Sequence, residues 1–139
     1  MPPEAAEQRI AIESDSDVVT ARQRARELAA GLELTTTDQT LLATAISEVA
    51  RNITTYATRG EVLLSIVRDT VGRVGIRVVA RDHGPGIEDI DRALQDGYTS
   101  GSGLGLGLPG ARRLVDEFDI ESVPSEGTTV TLVKWSRAR

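Results

Sequence analysis

Residues 101–110 read Gly-Ser-Gly-Leu-Gly-Leu-Gly-Leu-Pro-Gly, and this run limits what the chain can become more than any other stretch. Glycines at alternate positions carry no Cβ. The backbone can therefore turn through positive φ, and its N–H groups can close on an anion. A helix is expected next, over residues 111–118, and a helix N-terminus favours negative charge. The run predicts a phosphorylated ligand. Which ligand must come from the rest of the chain.

Two well-known glycine motifs do not fit. A Walker A loop needs Gly-Lys-Ser/Thr, yet every basic residue but one is arginine, and the single lysine, Lys134, stands near the C-terminal end. Gly105 to Gly110 spells G-x-G-x-x-G, but a dinucleotide turn follows a strand within a βαβ unit. Here Asp96-Gly97-Tyr98-Thr99-Ser100 precedes it, a polar and turn-like segment.

The chain has 139 residues, 40% of them hydrophobic, which is enough for one domain with a real core. We expect a single domain over 1–139, with residues 1–8 as a loose start. With one Trp, two Tyr and one Phe the core must be aliphatic. Cysteine is absent, which excludes disulfides, thiolate zinc sites and a cysteine nucleophile. The lone histidine, His83, speaks against a Ser-His-Asp triad or a multi-histidine metal site. The net charge of −5 and the lack of a basic stripe speak against nucleic acid. No apolar run approaches the ~20 residues of a membrane span, and no signal peptide opens the chain. A cytoplasmic protein with no membrane contact is the expectation.

Arg9 to Ile12 alternates polar and apolar, as a short strand does. Ser14-Asp15-Ser16-Asp17 and Thr35-Thr36-Thr37-Asp38 offer N-caps for two helices, to Leu32 and to about Ala57, the second ended by Gly60. Leu42, Ile46, Val49 and Ile53 recur at helical spacing. Glu61–Asp69 and Arg73–Arg81 predict a hairpin, followed by a turn at 84–86 and a short helix over 88–95. Asp119–Val123 and Thr128–Trp135 predict a second hairpin, turned by Pro124 to Gly127. Early helices and late antiparallel strands make an α+β two-layer sandwich, with a mixed, mostly antiparallel sheet and helices on one face.

Three further segments carry polar groups that fit one site. Glu48 and Asn52 are i,i+4 and share a helix face; an amide oxygen can coordinate Mg²⁺, and a carboxylate can take a proton from a nucleophile. Asp82, before Gly84 and Gly86, stands at a strand end where a flat ligand can approach. Its carboxylate only accepts hydrogen bonds, which suits adenine's amine and repels guanine's carbonyl. Such a bond contributes ~1.5–3 kcal/mol. Thr128, after Gly127, opens the last strand and can add a hydroxyl beside Asp82. Taken singly these are a solvated helix face, an Asx turn and a hairpin turn. His83 is assigned no role.

Glu48-x-x-x-Asn52, Asp82-x-Gly84-x-Gly86, Gly101 to Gly107 and Gly127-Thr128, in this order, resemble the N, G1 and G2 boxes of the GHKL (Bergerat-fold) ATPases and kinases. The resemblance implies a sheet covered on one face by helices, with ATP and Mg²⁺ as cofactors. It implies Glu48 as general base, Asn52 as the Mg²⁺ ligand and Asp82 as the adenine-reading acid. Gly84, Gly86 and Ile87 would shape the adenine pocket. Gly103, Leu104, Gly105, Leu106 and Gly107 would hold the phosphates, and Thr128 would support Asp82.

Within that family, gyrase-like and chaperone-like members are far longer, and a sensor kinase needs a phosphoacceptor histidine that His83 does not supply. The segments Ala45–Ile53, Asp96–Gly101 and Gly105–Phe118, with Thr20-Ala21-Arg22 and Val133-Lys134-Trp135, resemble the RsbT-type stressosome switch kinases. Pro109 speaks for them over anti-sigma kinases. The resemblance implies a serine/threonine kinase acting on STAS-domain scaffold proteins, which on release binds and activates a PP2C-type phosphatase in a general stress pathway. The alternative is an anti-sigma factor that sequesters a sigma factor and phosphorylates its STAS antagonist. A nucleotide-binding adaptor without transfer activity is disfavoured, since Glu48, Asn52 and Asp82 are all present. Oligomeric state stays open, a homodimer included.

Overall fold

The computed structural model describes residues 7–57, 59–87, 94 and 107–136. In chain order they form β1 (Gln8–Ile12), α1 (Asp15–Ala30), α2 (Thr36–Asn52), a π-helical turn (Ile53–Ala57), β2 (Gly60–Arg68), β3 (Val74–Asp82), α3 (Gly107–Leu114), β4 (Glu117–Val123) and β5 (Gly127–Trp135). The five strands make one sheet in the order β1-β2-β3-β5-β4, and every pairing among them is antiparallel. The α+β architecture read from the sequence is the one observed.

The core lies between the sheet and the helices. Strand residues alternate sides, so each strand gives every second residue to the helices. Register lines these residues up: Ile10, Val62, Ala80, Val130 and Ile120 form one apolar row across all five strands. Leu64, Val78, Leu132 and Phe118 form the next. Against these rows α2 buries Leu42, Ile46 and Val49, and the π-turn buries Ile53, all at the spacing expected. Each such aliphatic side chain contributes about 1.5–3 kcal/mol on burial. α1 presents Val18, Ala21, Ala25 and Ala29. These small residues let two helices approach closely.

The helix starts are capped as the sequence indicates, with one variation. Thr35 Oγ1 accepts the Asp38 N–H at 3.0 Å, an ordinary N-cap for α2. At α1 the Ser14 side chain makes no such bond, and Asp17 reaches back to accept the Glu13 N–H at 2.9 Å. In the β2–β3 turn Asp69 is the organiser, not the last strand residue. Its Oδ1 accepts the N–H groups of Val71 and Arg73 at 3.0 and 2.8 Å.

Three local differences from the sequence reading have clear causes. The helix expected over residues 111–118 is four residues early, as Gly107–Leu114, and Glu117 and Phe118 belong to β4. Pro109 is what hid its start. A proline in the first turn lacks only an N–H that has no partner within the helix anyway, so it does not stop the helix from forming. The second helix reaches Ala57 as expected, but its last five residues form a π-turn. Gly60 does not end that helix. It opens β2, where a Cβ would collide with the Arg81 carbonyl oxygen. The helix expected over 88–95 falls outside the described residues, apart from Leu94. Among the described residues, no helix is long and apolar enough to cross a membrane.

Candidate active site

Glu48 and Asn52 stand one turn apart near the end of α2. Both neighbours of Glu48, Ser47 and Val49, are buried, and Glu48 itself is only 8% exposed. Its two oxygens have different partners. Oε1 accepts the Gly107 N–H at 3.0 Å, across 59 residues of sequence. Oε2 faces Arg51 Nη1 at 3.5 Å. The carboxylate of α2 thus holds the first residue of α3, where the helix dipole is positive. Gly107 has φ +68, a conformation glycine adopts without strain.

The π-turn follows Asn52 directly and joins this cluster to a second one. A π-turn holds one residue more than an α-turn and often marks a functional site. Its last residue, Ala57, lies against Gly84, where a Cβ would come within 2.6 Å of the Ala57 Cβ. Gly84 is therefore required by close packing against Ala57.

The second cluster is built on Asp82, the last residue of β3. Asp82 Oδ1 accepts the Gly84 N–H at 2.9 Å and the Thr128 N–H at 3.3 Å. Both bonds fall on Oδ1, so Oδ2 is the oxygen that among the described residues is left for a ligand. Gly127, with φ +136, passes so close to the Asp82 carbonyl oxygen that no side chain fits between them. The contact draws the β4–β5 turn onto the end of β3.

Thr128 meets Asp82 through its backbone N–H. Its hydroxyl lies 2.8 Å from Ser122 Oγ instead, because the register pairs the two residues on the same face of the sheet. Ser122 is a residue the sequence reading missed. Its Oγ accepts the Ile87 N–H at 2.7 Å and lies 3.2 Å from the Gly127 carbonyl oxygen. It therefore ties the turn after β3 to the last hairpin. A signal was present: strand alternation puts Ser122 on the inward face with Phe118 and Ile120, as the one polar member. Gly86, with φ +80, and the Pro85 carbonyl, which accepts the Ser125 N–H at 2.7 Å, complete the same seam.

The structure thus gathers Asp82, Gly84, Gly86, Ile87 and Thr128 in one cluster and Glu48 with Gly107 in another. Asn52 leads into the π-turn between them. Gly103, Leu104, Gly105 and Leu106 lie outside the described residues.

Two surroundings complete the site. A groove of about 590 Å³ opens between α1 and α2 beside Glu48, with Arg22 and Arg26 on one wall and Ser47 and Arg51 on the other. Arg22 Nη1 donates to Ser47 Oγ at 3.3 Å. On the opposite face of the sheet from the Asp82 side chain, Glu61 accepts from Arg81 Nε and Nη2 at 2.8 and 2.5 Å and pairs with Arg9. The Arg81 guanidinium, and after it Arg9, holds the Glu61 carboxyl below the usual glutamate range.

Comparison with known proteins places the chain in a family. A family model described as histidine kinase-like ATPase domain matches residues 12–134. The serine/threonine-protein kinase RsbT of Bacillus subtilis (strain 168) is 45% identical over 128 residues, covering 92% of this chain and 96% of the relative. The anti-sigma F factor of Caldanaerobacter subterraneus subsp. tengcongensis is 29% identical over 118 residues, covering 83% and 82%. Among solved structures, the RsbU and RsbW domains of a Mycobacterium tuberculosis protein share the fold, with a TM-score of 0.62 at 24% identity. That match covers 96% of this chain and 34% of the other. The chain belongs to the histidine kinase-like ATPase family, and within it to the ATP-dependent serine/threonine-protein kinases.

Proposed function

We propose that this site passes the γ-phosphoryl group of ATP to a serine or threonine hydroxyl of a STAS-domain scaffold protein, in a cytoplasmic stress-response pathway. The observation that carries the reading is Glu48: a nearly buried carboxylate, one turn before Asn52 and bordering an open groove. The acceptor hydroxyl would enter by that groove and give its proton to Glu48. The acceptor oxygen would bond to the γ-phosphorus as the bond to the β–γ bridging oxygen breaks, and ADP would leave. Phosphoryl transfer depends mostly on positioning and on neutralising charge.

Asp82 Oδ2 would accept from the adenine amine, with Oδ1 already fixed by two backbone N–H groups. Mg²⁺ fits the amide oxygen of Asn52, since the ion takes oxygen ligands and keeps most of its shell as water and phosphate oxygen. When bound it would neutralise phosphate charge. Arg51, on the groove wall and paired with Glu48, adds positive charge on the acceptor side.

Phosphorylating the scaffold would release the kinase to bind and activate a PP2C-type phosphatase. The 45% likeness to a serine/threonine-protein kinase supports this reading over sequestration of a sigma factor, for which the likeness is 29%. The test is transfer from labelled ATP to a purified STAS-domain partner. Glu48→Gln should lower the rate roughly 10²–10⁴-fold with ATP still bound. Unchanged transfer by Glu48→Gln would remove Glu48 as the base.

A further inference from the structure

The carboxylate assigned to proton abstraction is already engaged. Glu48 Oε1 holds the Gly107 N–H at 3.0 Å, and Oε2 faces Arg51 at 3.5 Å. A carboxylate whose oxygens are both held is poorly disposed to receive a hydroxyl proton. Gly107 is also the last of the alternating glycines and the first residue of α3. Its N–H is thus the kind of donor a phosphate oxygen takes. Pro109 has no N–H, so Gly107 and Leu108 supply the first donors of that helix.

We infer that Glu48 and the phosphate of the bound nucleotide compete for the Gly107 N–H, so that nucleotide binding itself frees the base. One N–H has one well-aligned acceptor, and two anions on the same donor repel each other. A polyphosphate carries more charge than a carboxylate and takes the donor. Oε1 is then open to the acceptor hydroxyl, while Arg51 keeps Oε2 in place. The rest of α3 need not move: Leu108, Pro109, Gly110 and Ala111 are all buried. The exchange is confined to one hydrogen bond at the helix's first residue. Without nucleotide, Glu48 caps α3; with nucleotide, it faces the groove. The kinase would then hold an incoming hydroxyl without deprotonating it until ATP is in place.

This inference rests on the phosphotransfer reading, but its test does not depend on transfer. Glu48→Gln keeps an oxygen that accepts the Gly107 N–H, and Glu48→Ala does not. Both remove the charge, so a difference between them reports the hydrogen bond. Without nucleotide, the Gly107 amide should exchange with solvent about tenfold faster in Glu48→Ala than in wild type or Glu48→Gln, read by NMR. With ATP it should be protected in all three proteins. Glu48→Ala should bind ATP several-fold more tightly than Glu48→Gln, and the two should bind adenosine equally. Equal ATP affinity of the two variants, or a Gly107 amide signal that ATP leaves unmoved in wild type, overturns the exchange. Transfer that survives in Glu48→Gln overturns the base assignment instead, so the two failures are told apart.

Discussion

Lys134 and Asp38 form an ion pair at 3.5 Å with side chains only 4% and 5% exposed. Lys134 Nζ also donates to the Leu114 carbonyl at 3.1 Å, at the end of α3. The chain's single lysine therefore joins the negative end of one helix to a carboxylate in the first turn of another. It ties α2, which carries Glu48, and α3, which begins at Gly107, to the same point on β5. Removing one partner of a buried pair takes compensation from the other charge, at a cost of up to about 3–5 kcal/mol. Lys134→Met should lower unfolding free energy by up to that amount in urea titrations. Asp38→Asn combined with Lys134→Met should be less destabilised than the sum of the two single changes.

Asp82→Asn separates structure from recognition. The asparagine Oδ1 still accepts the Gly84 and Thr128 N–H groups, so unfolding in urea should change little. The amide that replaces Oδ2 is a donor and cannot accept from adenine. ATP affinity by calorimetry should fall roughly ten- to hundredfold, with GTP less affected or improved. An Asp82→Asn protein that binds ATP as wild type does would remove Asp82 from the adenine pocket.

Ser122→Ala takes the acceptor from the Ile87 N–H and the partner from the Thr128 hydroxyl. An orphaned, half-buried donor costs about 1–3 kcal/mol. Stability should fall by the lower end of that range, since the site is not fully closed. ATP affinity should weaken as well, because the turn after Asp82 loses one of its ties to the last hairpin. Ser122→Thr, which keeps the hydroxyl, should restore most of both.

Glu61 gives a pH signature. Its folded-state pKa is depressed by Arg81 and Arg9, so its contribution is present above the unfolded value, about 4.3. It is lost as pH falls through the lower folded value. Both arginines are exposed, so the contribution is about 0.5–1 kcal/mol. Glu61→Gln should be less stable than wild type by that amount at pH 7. The difference should shrink as pH falls through the lowered folded value. A gap that persists unchanged at pH 2 would show that packing, not charge, accounts for it.

Much of the fold was legible because local and global signals agree. Leu42, Ile46, Val49 and Ile53 repeat at helical spacing and are the residues that α2 and the π-turn bury. The two hairpins lie within about two residues of where their turns put them. The start of α3 was obscured because proline and glycine usually argue against a helix, and the first turn is the place where they do not. The π-turn leaves no trace in a 3.6-residue pattern. Asp82 could be picked out by its place at a strand end. Alternation marks Ser122 as the one polar residue on the inward face of β4, but its partners come from a register that pairs β4 with β5 and sets it beside Thr128. Likewise the hydrogen bond between Glu48 and Gly107 joins residues too distant in sequence for any spacing rule.

The strand order has a consequence for how the protein is made. β5 follows β4 in the sequence, yet it sits between β3 and β4. A nascent chain that has emerged only through β4 has β3 with one edge open and β4 with nothing to pair with. Thr128 and Gly127, which close on Asp82, are not yet present. The cluster around Asp82 therefore forms only when the chain has left the ribosome through about Trp135. A ribosome-bound fragment ending before β5 would leave the hydrogen-bonding edge of β3 from Gly75 to Arg81 unpaired, and would be the form most in need of a chaperone.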